Sequence, residues 1–327
     1  MQAAWYTQNG EAHDVLIVGT QATPTPQAGE VRVKLHTSGV NPSDVKSRKA
    51  RPLVDPLIVP HSDGAGVIDA VGDGVSSARV GERVWVWNGQ WQRPLGTACE
   101  YITLPAEQAV PLPAHIDDDA AACLGIPALT AVQAVHLAGN VHKKTVLVTG
   151  ASSAVGHYIV QLLTLQGAHV IGTVGSERKA AHAQAAGCKD IIFYKTESVA
   201  QRLQAITQGA GVDLIIDMDF STTSQLMPAG ALKPHGTVVC YGSNNPGDIA
   251  INFRPLLWGS ITLKFFLVYD LSPEDRHWCL TALREYLNTN ALRHTIAAKF
   301  QLKDIALAHE AVEQGQLIGN VVVDLMP

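Results

Sequence analysis

Charge is scarce in this chain. Asp, Glu, Lys and Arg make up only 16% of its 327 residues, and the net charge is -5. No run of lysines and arginines occurs, so nothing in the sequence offers a phosphate backbone a basic surface, and nucleic acid is not an expected partner. Long apolar runs are also missing. None reaches the ~20 residues that a membrane-spanning helix needs, so no membrane association is expected. Paired cysteines are absent too. The five cysteines at positions 99, 123, 188, 240 and 279 are odd in number and scattered, with no Cys-x-x-Cys pair. That argues against a disulfide framework and against a structural zinc site. The opening Met1-Gln2-Ala3-Ala4-Trp5-Tyr6 has no basic segment followed by an apolar one. The expectation is no secretory signal and a cytoplasmic protein.

What is present is a hydrophobic content of 46% with 28 glycines, the composition of an α/β enzyme. The length predicts two domains at ~100–200 residues each. The most informative stretch is 145–156, Thr-Val-Leu-Val-Thr-Gly-Ala-Ser-Ser-Ala-Val-Gly. Residues 145–149 are an apolar, β-branched run suited to a strand buried on both faces. Small residues follow, and 157–166 then reads as a helix with Ile159, Val160, Leu162, Leu163 and Leu165 on one broad side. Strand, small turn and helix open a dinucleotide-binding βαβ unit, in which turn amides and the helix N-terminus hold a pyrophosphate. The candidates for that cradle are Ser152, Ser153, Ala154, Val155 and Gly156. Of the three fingerprint positions, Ala151, Ser153 and Gly156, only the last is glycine. Taken alone, the turn also suits an ordinary βα connection.

Residues 1–125 read as several short strands with Gly/Pro turns, among them 15–18, 30–37, 64–71, 83–87 and 101–104, which suggests a small β-barrel. Helices are predicted at 120–124 and 128–138. From 145 to about 263 strands and helices alternate, with strands at 169–174, 190–193, 212–217, 236–241 and 261–266 and helices at 177–186, 199–207 and 224–232. Such alternation implies a mostly parallel sheet. A long helix at 273–289, with Trp278, Leu280, Leu283 and Leu287 on its apolar side, begins a last segment that is expected to complete the first domain. The domains are thus 1–125 with 267–327, and 126–266.

The nucleotide choice is written about 20 residues past the glycine turn, at the tip of the second strand. No acid stands there to bind a ribose 2′-hydroxyl. Ser176, Arg178 and Lys179 instead suit a 2′-phosphate, through charge-assisted hydrogen bonds, so NADP(H) is preferred to NAD.

Several stretches in order resemble the medium-chain dehydrogenase/reductase superfamily, in its zinc-independent, zeta-crystallin-like quinone oxidoreductase branch. They are Gly-Val-Asn-Pro-Ser-Asp at 39–44, Pro-His-Ser-Asp-Gly-Ala-Gly-Val at 60–67, Val-Gly-Glu-Arg-Val at 80–84, Gly-Thr-Ala-Cys-Glu-Tyr at 96–101, Gly-Ile-Pro-Ala-Leu-Thr-Ala at 125–131, and 315–323. The resemblance implies an α/β fold, a Rossmann-type doubly wound parallel sheet plus a GroES-like β-barrel catalytic domain. It implies Asn41 at the nicotinamide end of the cofactor, Thr130 as a further contact, and Tyr194 beside the 2′-phosphate. Gly242 and Ser243 at a strand end, Phe266 and Val268 through backbone groups, and Asn320 complete the expected cofactor set. The cysteine ligand and four-cysteine lobe of the zinc alcohol dehydrogenases are missing, so no metal is expected. His61, Trp87, Trp91 and Tyr269 are the expected acceptor wall, and Asn41, Asp44 and Tyr269 the expected catalytic positions. The implied activity is hydride transfer from NADPH to a quinone-type electrophile. The alternatives are an enone or alkenal reductase and a non-catalytic NADPH-binding protein. Exposed sheet-edge segments at 249–253 and 261–266 predict a homodimer.

Overall fold

The computed structural model describes residues 1–326 and divides the chain into two compact units, Met1–Pro127 with the segment from His294 onward, and Ala128–Arg293. In the first unit a seven-stranded sheet is built on the long strand Glu30–Val40. Its alternation buries Val31, Val33 and Leu35 on one face, as a half-exposed strand requires. It pairs antiparallel with Asp63–Val71, with Tyr101–Pro105 and with the C-terminal strand Asn320–Asp324. The last pairing is how the chain end returns to the first unit. In the second unit six strands form a parallel sheet, with Thr145–Val148 and Val212–Asp217 at its centre and Asp190–Phe193 and Thr262–Phe265 at its edges. The helix Ala154–Leu165 packs Ile159, Val160, Leu162 and Leu163 out of water, each contributing roughly 1.5–3 kcal/mol.

Four sequence expectations are corrected. Residues 15–18 are not one strand, because the short helix Ala12–Val15 ends there and the strand Ile17–Thr20 follows. The helix expected at 224–232 is replaced by the single turn Phe220–Thr223. Pro228 lacks a donor and Gly230 takes φ +73°, so the segment turns and Leu232 enters the strand Leu232–Cys240. The helix Pro273–Asn288 belongs to the second unit and not the first. Its buried positions are Arg276, Cys279, Leu283 and Leu287, and Cys279 Sγ donates to Gln133 Oε1 at 3.1 Å. Trp278 is 40% exposed and stacks flat on His136 at 3.9 Å between centroids. The apolar side therefore runs through a cysteine and an arginine stem that a count of large apolar residues passes over.

A buried polar spine crosses the first unit. Arg48 is fully buried, paired with Glu313 and with the Gly10 carbonyl, and its Nε donates to His309 Nδ1 at 3.4 Å. His309 Nε2 meets His61 Nε2 at 2.9 Å, His61 Nδ1 meets Ser38 Oγ at 2.8 Å, and Ser38 meets Thr97 Oγ1 at 2.8 Å. Thr97 then donates to the Asp63 carbonyl at 2.5 Å. The two ends set the direction, because arginine only donates and a carbonyl only accepts. His309 therefore carries its proton on Nε2 and His61 on Nδ1, both neutral. Burial lowers the His61 pKa to about 3 and holds that of His309 well below the usual value. Replacing Arg48 with alanine strips the spine's first donor and leaves Glu313 paired with the half-exposed Lys49 alone. Urea denaturation is expected to show a loss of about 3 kcal/mol or more; a loss under 1 kcal/mol would show that the spine contributes little to stability.

Candidate functional site

In the first unit the centre of interest is Asn41, between the end of strand Glu30–Val40 and the helix Pro42–Ala50. Pro42 at the first helical position fixes φ for helix entry, and Asn41 is the N-cap. Its backbone N–H donates to Asp44 Oδ2 at 2.7 Å, and its side-chain Nδ2 donates to Asp63 Oδ2 at 2.8 Å. Asn41, Asp44 and Asp63 are 4%, 5% and 0% exposed. The asparagine is thus held at both ends by buried carboxyls, with the amide proton committed to Asp63. Burial raises the Asp44 pKa to about 7, opposed by the hydrogen bonds from Asn41 and by Arg51. Burial also holds Asp63 well above the carboxylate range, opposed by the Asn41 amide and aided by the negative charge of Asp44. Space for Asp63 comes from two glycines. A Cβ on Gly125 would strike Asp63 Oδ1, and one on Gly39 would strike the Ala122 carbonyl and lie 3.1 Å from Asp63 Cβ.

The expected acceptor wall separates. Trp91 lines a cavity of about 220 Å³ together with Tyr6, Ser47 and Arg51. His61 is 0% exposed and occupied on both nitrogens by Ser38 and His309, so it belongs to the spine and not to a wall. It takes φ +78°, a conformation costing an L-residue roughly 1–2 kcal/mol that these two partners offset. Trp87 is buried at 8% beside the strand Arg83–Val86 and does not line the cavity. Tyr269, also buried, belongs to the second unit on the turn Val268–Asp270.

In the second unit the small-residue turn is stitched to the strands on either side. Gly150 N–H donates to Thr173 Oγ1 at 2.9 Å and Ala151 N–H to the Thr173 carbonyl at 3.1 Å. Thr149 Oγ1 donates to Asp217 Oδ1 at 2.8 Å. Gly150 has φ +64°, and a Cβ there would run into Met218 Sδ, so the left-handed position precedes the fingerprint's first residue. Ser153 caps the helix Ala154–Leu165, its Oγ accepting from Gly156 N–H at 3.0 Å. The serine that stands in a glycine's place is therefore folded into the cap, and Ala154 and Val155 occupy the first turn, where amide donors have no intrahelical acceptor. The Tyr241 hydroxyl is buried beside Ser153 and Asp217.

At the tip of strand His169–Val174, Ser176 caps the helix Glu177–Ala186, accepting from Lys179 N–H at 3.4 Å. Tyr194 Oη and Lys195 Cε lie 3.0 and 3.2 Å from where a Cβ on Gly175 would sit. Burial lowers the Lys179 pKa, and the neighbouring cations Lys195 and Arg178 lower it further. Lys195 and Tyr194 thus stand at Gly175, and Lys195 and Arg178 are close enough to Lys179 to repel its charge, an arrangement that an anion would relieve. Lys195 was not singled out from the sequence; its signal was adjacency to Tyr194 at the end of a strand. The remaining positions are more occupied than expected. Phe266 N–H donates to the Cys240 carbonyl at 3.2 Å, and the Val268 carbonyl accepts from Arg276 at 2.5 Å, so these two groups serve the fold. The Gly242 carbonyl accepts from Phe220 N–H, and Ser243 Oγ donates to the Asn245 carbonyl at 2.7 Å. Thr130 is buried in the helix Leu129–Ala138. Asn320, in the first unit, spends Nδ2 on the Thr295 carbonyl at 3.2 Å.

Residues 27–114 match the family described as alcohol dehydrogenase GroES-like domain, and 154–285 the family described as zinc-binding dehydrogenase. A 2-haloacrylate reductase from Burkholderia sp is 30% identical over 321 residues, covering 91% of this chain and 92% of that protein. The quinone oxidoreductase of Homo sapiens is 28% identical over 297 residues, covering 90% of this chain and 88% of that protein. A mycobacterial protein solved as a complex with NADPH superimposes with a TM-score of 0.88 at 26% identity, over 99% of this chain and 100% of that one. The zinc named in one description finds no fitting donor set. Among the described residues no group of three His, Cys, Asp or Glu could hold a metal ion, and both nitrogens of His61 are engaged. Zinc needs three protein donors with deprotonated or lone-pair atoms free.

Asp44 gives a pH signature. Its folded pKa lies above the unfolded value, so between about pH 4 and 7 the folded state holds the extra proton and this group's contribution falls as pH rises. Asp44→Asn retains an acceptor for Asn41. The stability difference between wild type and Asp44→Asn is expected to shrink by up to about 1.4 kcal/mol per pH unit across that window. A difference that stays flat in urea denaturation from pH 4 to 8 contradicts the assignment.

Proposed function

Because the chain belongs to the medium-chain dehydrogenase/reductase superfamily, in its zinc-independent quinone oxidoreductase-like branch, and is an oxidoreductase, we propose that it binds NADPH and reduces a quinone-type acceptor without metal. One observation carries the cofactor choice. Lys195 and Tyr194 stand at Gly175, and Lys195 and Arg178 repel the charge of Lys179, so a 2′-phosphate among them relieves cation repulsion and a bare 2′-hydroxyl does not. The residues fit the group: the strand tip offers a glycine flanked by a phenol and a lysine, and the first turn of Ala154–Leu165 offers amides to a pyrophosphate. When bound, NADPH supplies a hydride, and a proton from water completes the reduction of the acceptor. The chain's own residues bind and orient. Asn41 is the group this reading assigns to the nicotinamide end, and its double anchoring restricts the rotamers available to it. Without a Lewis-acid donor set the reading favours an acceptor that is already electrophilic. Reduction of an activated carbon–carbon double bond is the second reading, favoured by the likeness to a haloacrylate reductase.

The reading extends to a homodimer. The second unit's sheet ends on the strand Thr262–Phe265, which pairs on one side only, and its Phe265 with Phe253, Leu257 and Trp258 of the preceding helix are 58%, 68%, 59% and 74% exposed. A free edge bordered by exposed aromatics wants covering. Light scattering is expected to give twice the chain mass, falling to one for Trp258→Glu; a monomeric wild type overturns the dimer.

Fluorescence titration is expected to show NADPH bound more tightly than NADH. Lys179→Ala and Lys195→Ala each remove a charged hydrogen bond worth about 1.5–3 kcal/mol. Each is expected to cut NADPH affinity at least tenfold while leaving NADH affinity within twofold. Equal affinity of the wild type for both nucleotides sinks the cofactor choice. Absence of NADPH turnover across a panel of quinones and enones sinks the activity.

A further inference from the structure

The cavity of about 220 Å³ in the first unit is built asymmetrically for its size. It lies below the ~300–1,000 Å³ of drug-sized sites, so its occupant is no larger than about one ring. Its lining carries one cation, Arg51, and no carboxylate. Arg51 makes no ion pair with any described residue. Its guanidinium lies over the Trp91 ring, 5.3 Å from the centroid. A guanidinium laid on an indole is held in orientation, and its edge N–H groups stay available for a planar, two-oxygen acceptor. Tyr6 is only 3% exposed, yet its hydroxyl makes no hydrogen bond with any described residue. Burial first, then the negative Asp44, raises its pKa to about 12, so at neutral pH it is a donor. Ser47 adds a second hydroxyl from the last turn of the helix Pro42–Ala50, which ends at Arg51. A stacked cation, two hydroxyls and an indole face offer hydrogen-bond donors and flat apolar area, and nothing that welcomes a positive group.

We propose that this cavity binds the hydride acceptor as an anion: a small conjugated carboxylate whose two oxygens are held by Arg51 and whose planar carbons lie against Trp91, with Tyr6 donating to a further oxygen. The proposal rests on the second reading, reduction of an activated carbon–carbon double bond by NADPH, and names its substrate class. Arg51 and Trp91 are then specificity residues. A neutral quinone or enal of the same size leaves the guanidinium edge with water only and binds more weakly.

The test has a binding arm and a turnover arm. In the first, benzoate and its neutral isostere benzamide are titrated calorimetrically into the cofactor-free protein. Benzoate is expected to bind at least tenfold more tightly, and Arg51→Gln to erase the difference, with Arg51→Lys in between because it keeps the charge and loses the stack. Trp91→Ala is expected to weaken both ligands. Arg51 is on the surface, and an unchanged circular dichroism spectrum checks that its variants fold. In the second arm, (E)-4-oxopent-2-enoate and its methyl ester are compared with NADPH in excess. Arg51→Gln is expected to raise KM for the acid at least tenfold while leaving the ester within twofold. Equal binding of benzoate and benzamide, or an acid-to-ester ratio indifferent to Arg51→Gln, overturns the proposal. Arg51-dependent benzoate binding without turnover of any acceptor leaves the anion site standing and overturns the reductase reading.

Discussion

A carboxyl group taken out of water must be met by donors or held protonated, and each unit is organised around one such group. In the first it is Asp63, at the start of the strand Asp63–Val71, met by the side chain of Asn41. In the second it is Asp217, at the end of the strand Val212–Asp217, met by the hydroxyls of Thr149 and Thr223 and the backbone N–H of Asp219. Each fixes the turn on which the neighbouring chemistry depends. Asp63 fixes the entry of the helix Pro42–Ala50. Asp217 ties the strand tip after Val148 to the strand beside it, and so steadies the Gly150 turn. Burial raises the pKa of both carboxyls, with hydrogen bonds opposing it, so each is a stiff and costly anchor that holds only while its donors are in place.

The spine from Glu313 to Asp63 applies the same rule over a longer path. Its two neutral histidines are stabilised by a fixed direction of donation from arginine to carbonyl, and a proton added to either would reverse a link. The left-handed His61 is the point at which the loop before Asp63 is gripped. Backbone strain at one residue is thus tied, through Thr97 and the Asp63 carbonyl, to the position of the carboxyl that holds Asn41.

On the proposed reading, a degenerate glycine turn in the second unit still serves as an anion site. The conformational demand is met one residue early, at Gly150, and the serine in a glycine's place turns its oxygen into the helix cap. What remains free at the helix start is backbone, which depends little on side-chain identity beyond small size. The 2′-phosphate side is the opposite case, because there the side chains are the site.

The sequence alone determined the alternation of the parallel sheet, the strand at 145–148, the cationic strand tip and the family. These rest on local periodicity, on short spacings and on residue type, all of which read along the chain. Only the tertiary structure decided the rest. Lys195 stands beside Gly175 because the parallel strands His169–Val174 and Asp190–Phe193 end side by side. His61 left the acceptor wall because His309, 248 positions away, claims its second nitrogen. The helix Pro273–Asn288 joined the second unit because Gln133 and His136 face its cysteine and tryptophan. Arg51 and Tyr6 line one cavity although 45 residues apart. In each case the deciding partner is distant in the chain, and no local pattern encodes which distant groups will compete for a buried donor or acceptor.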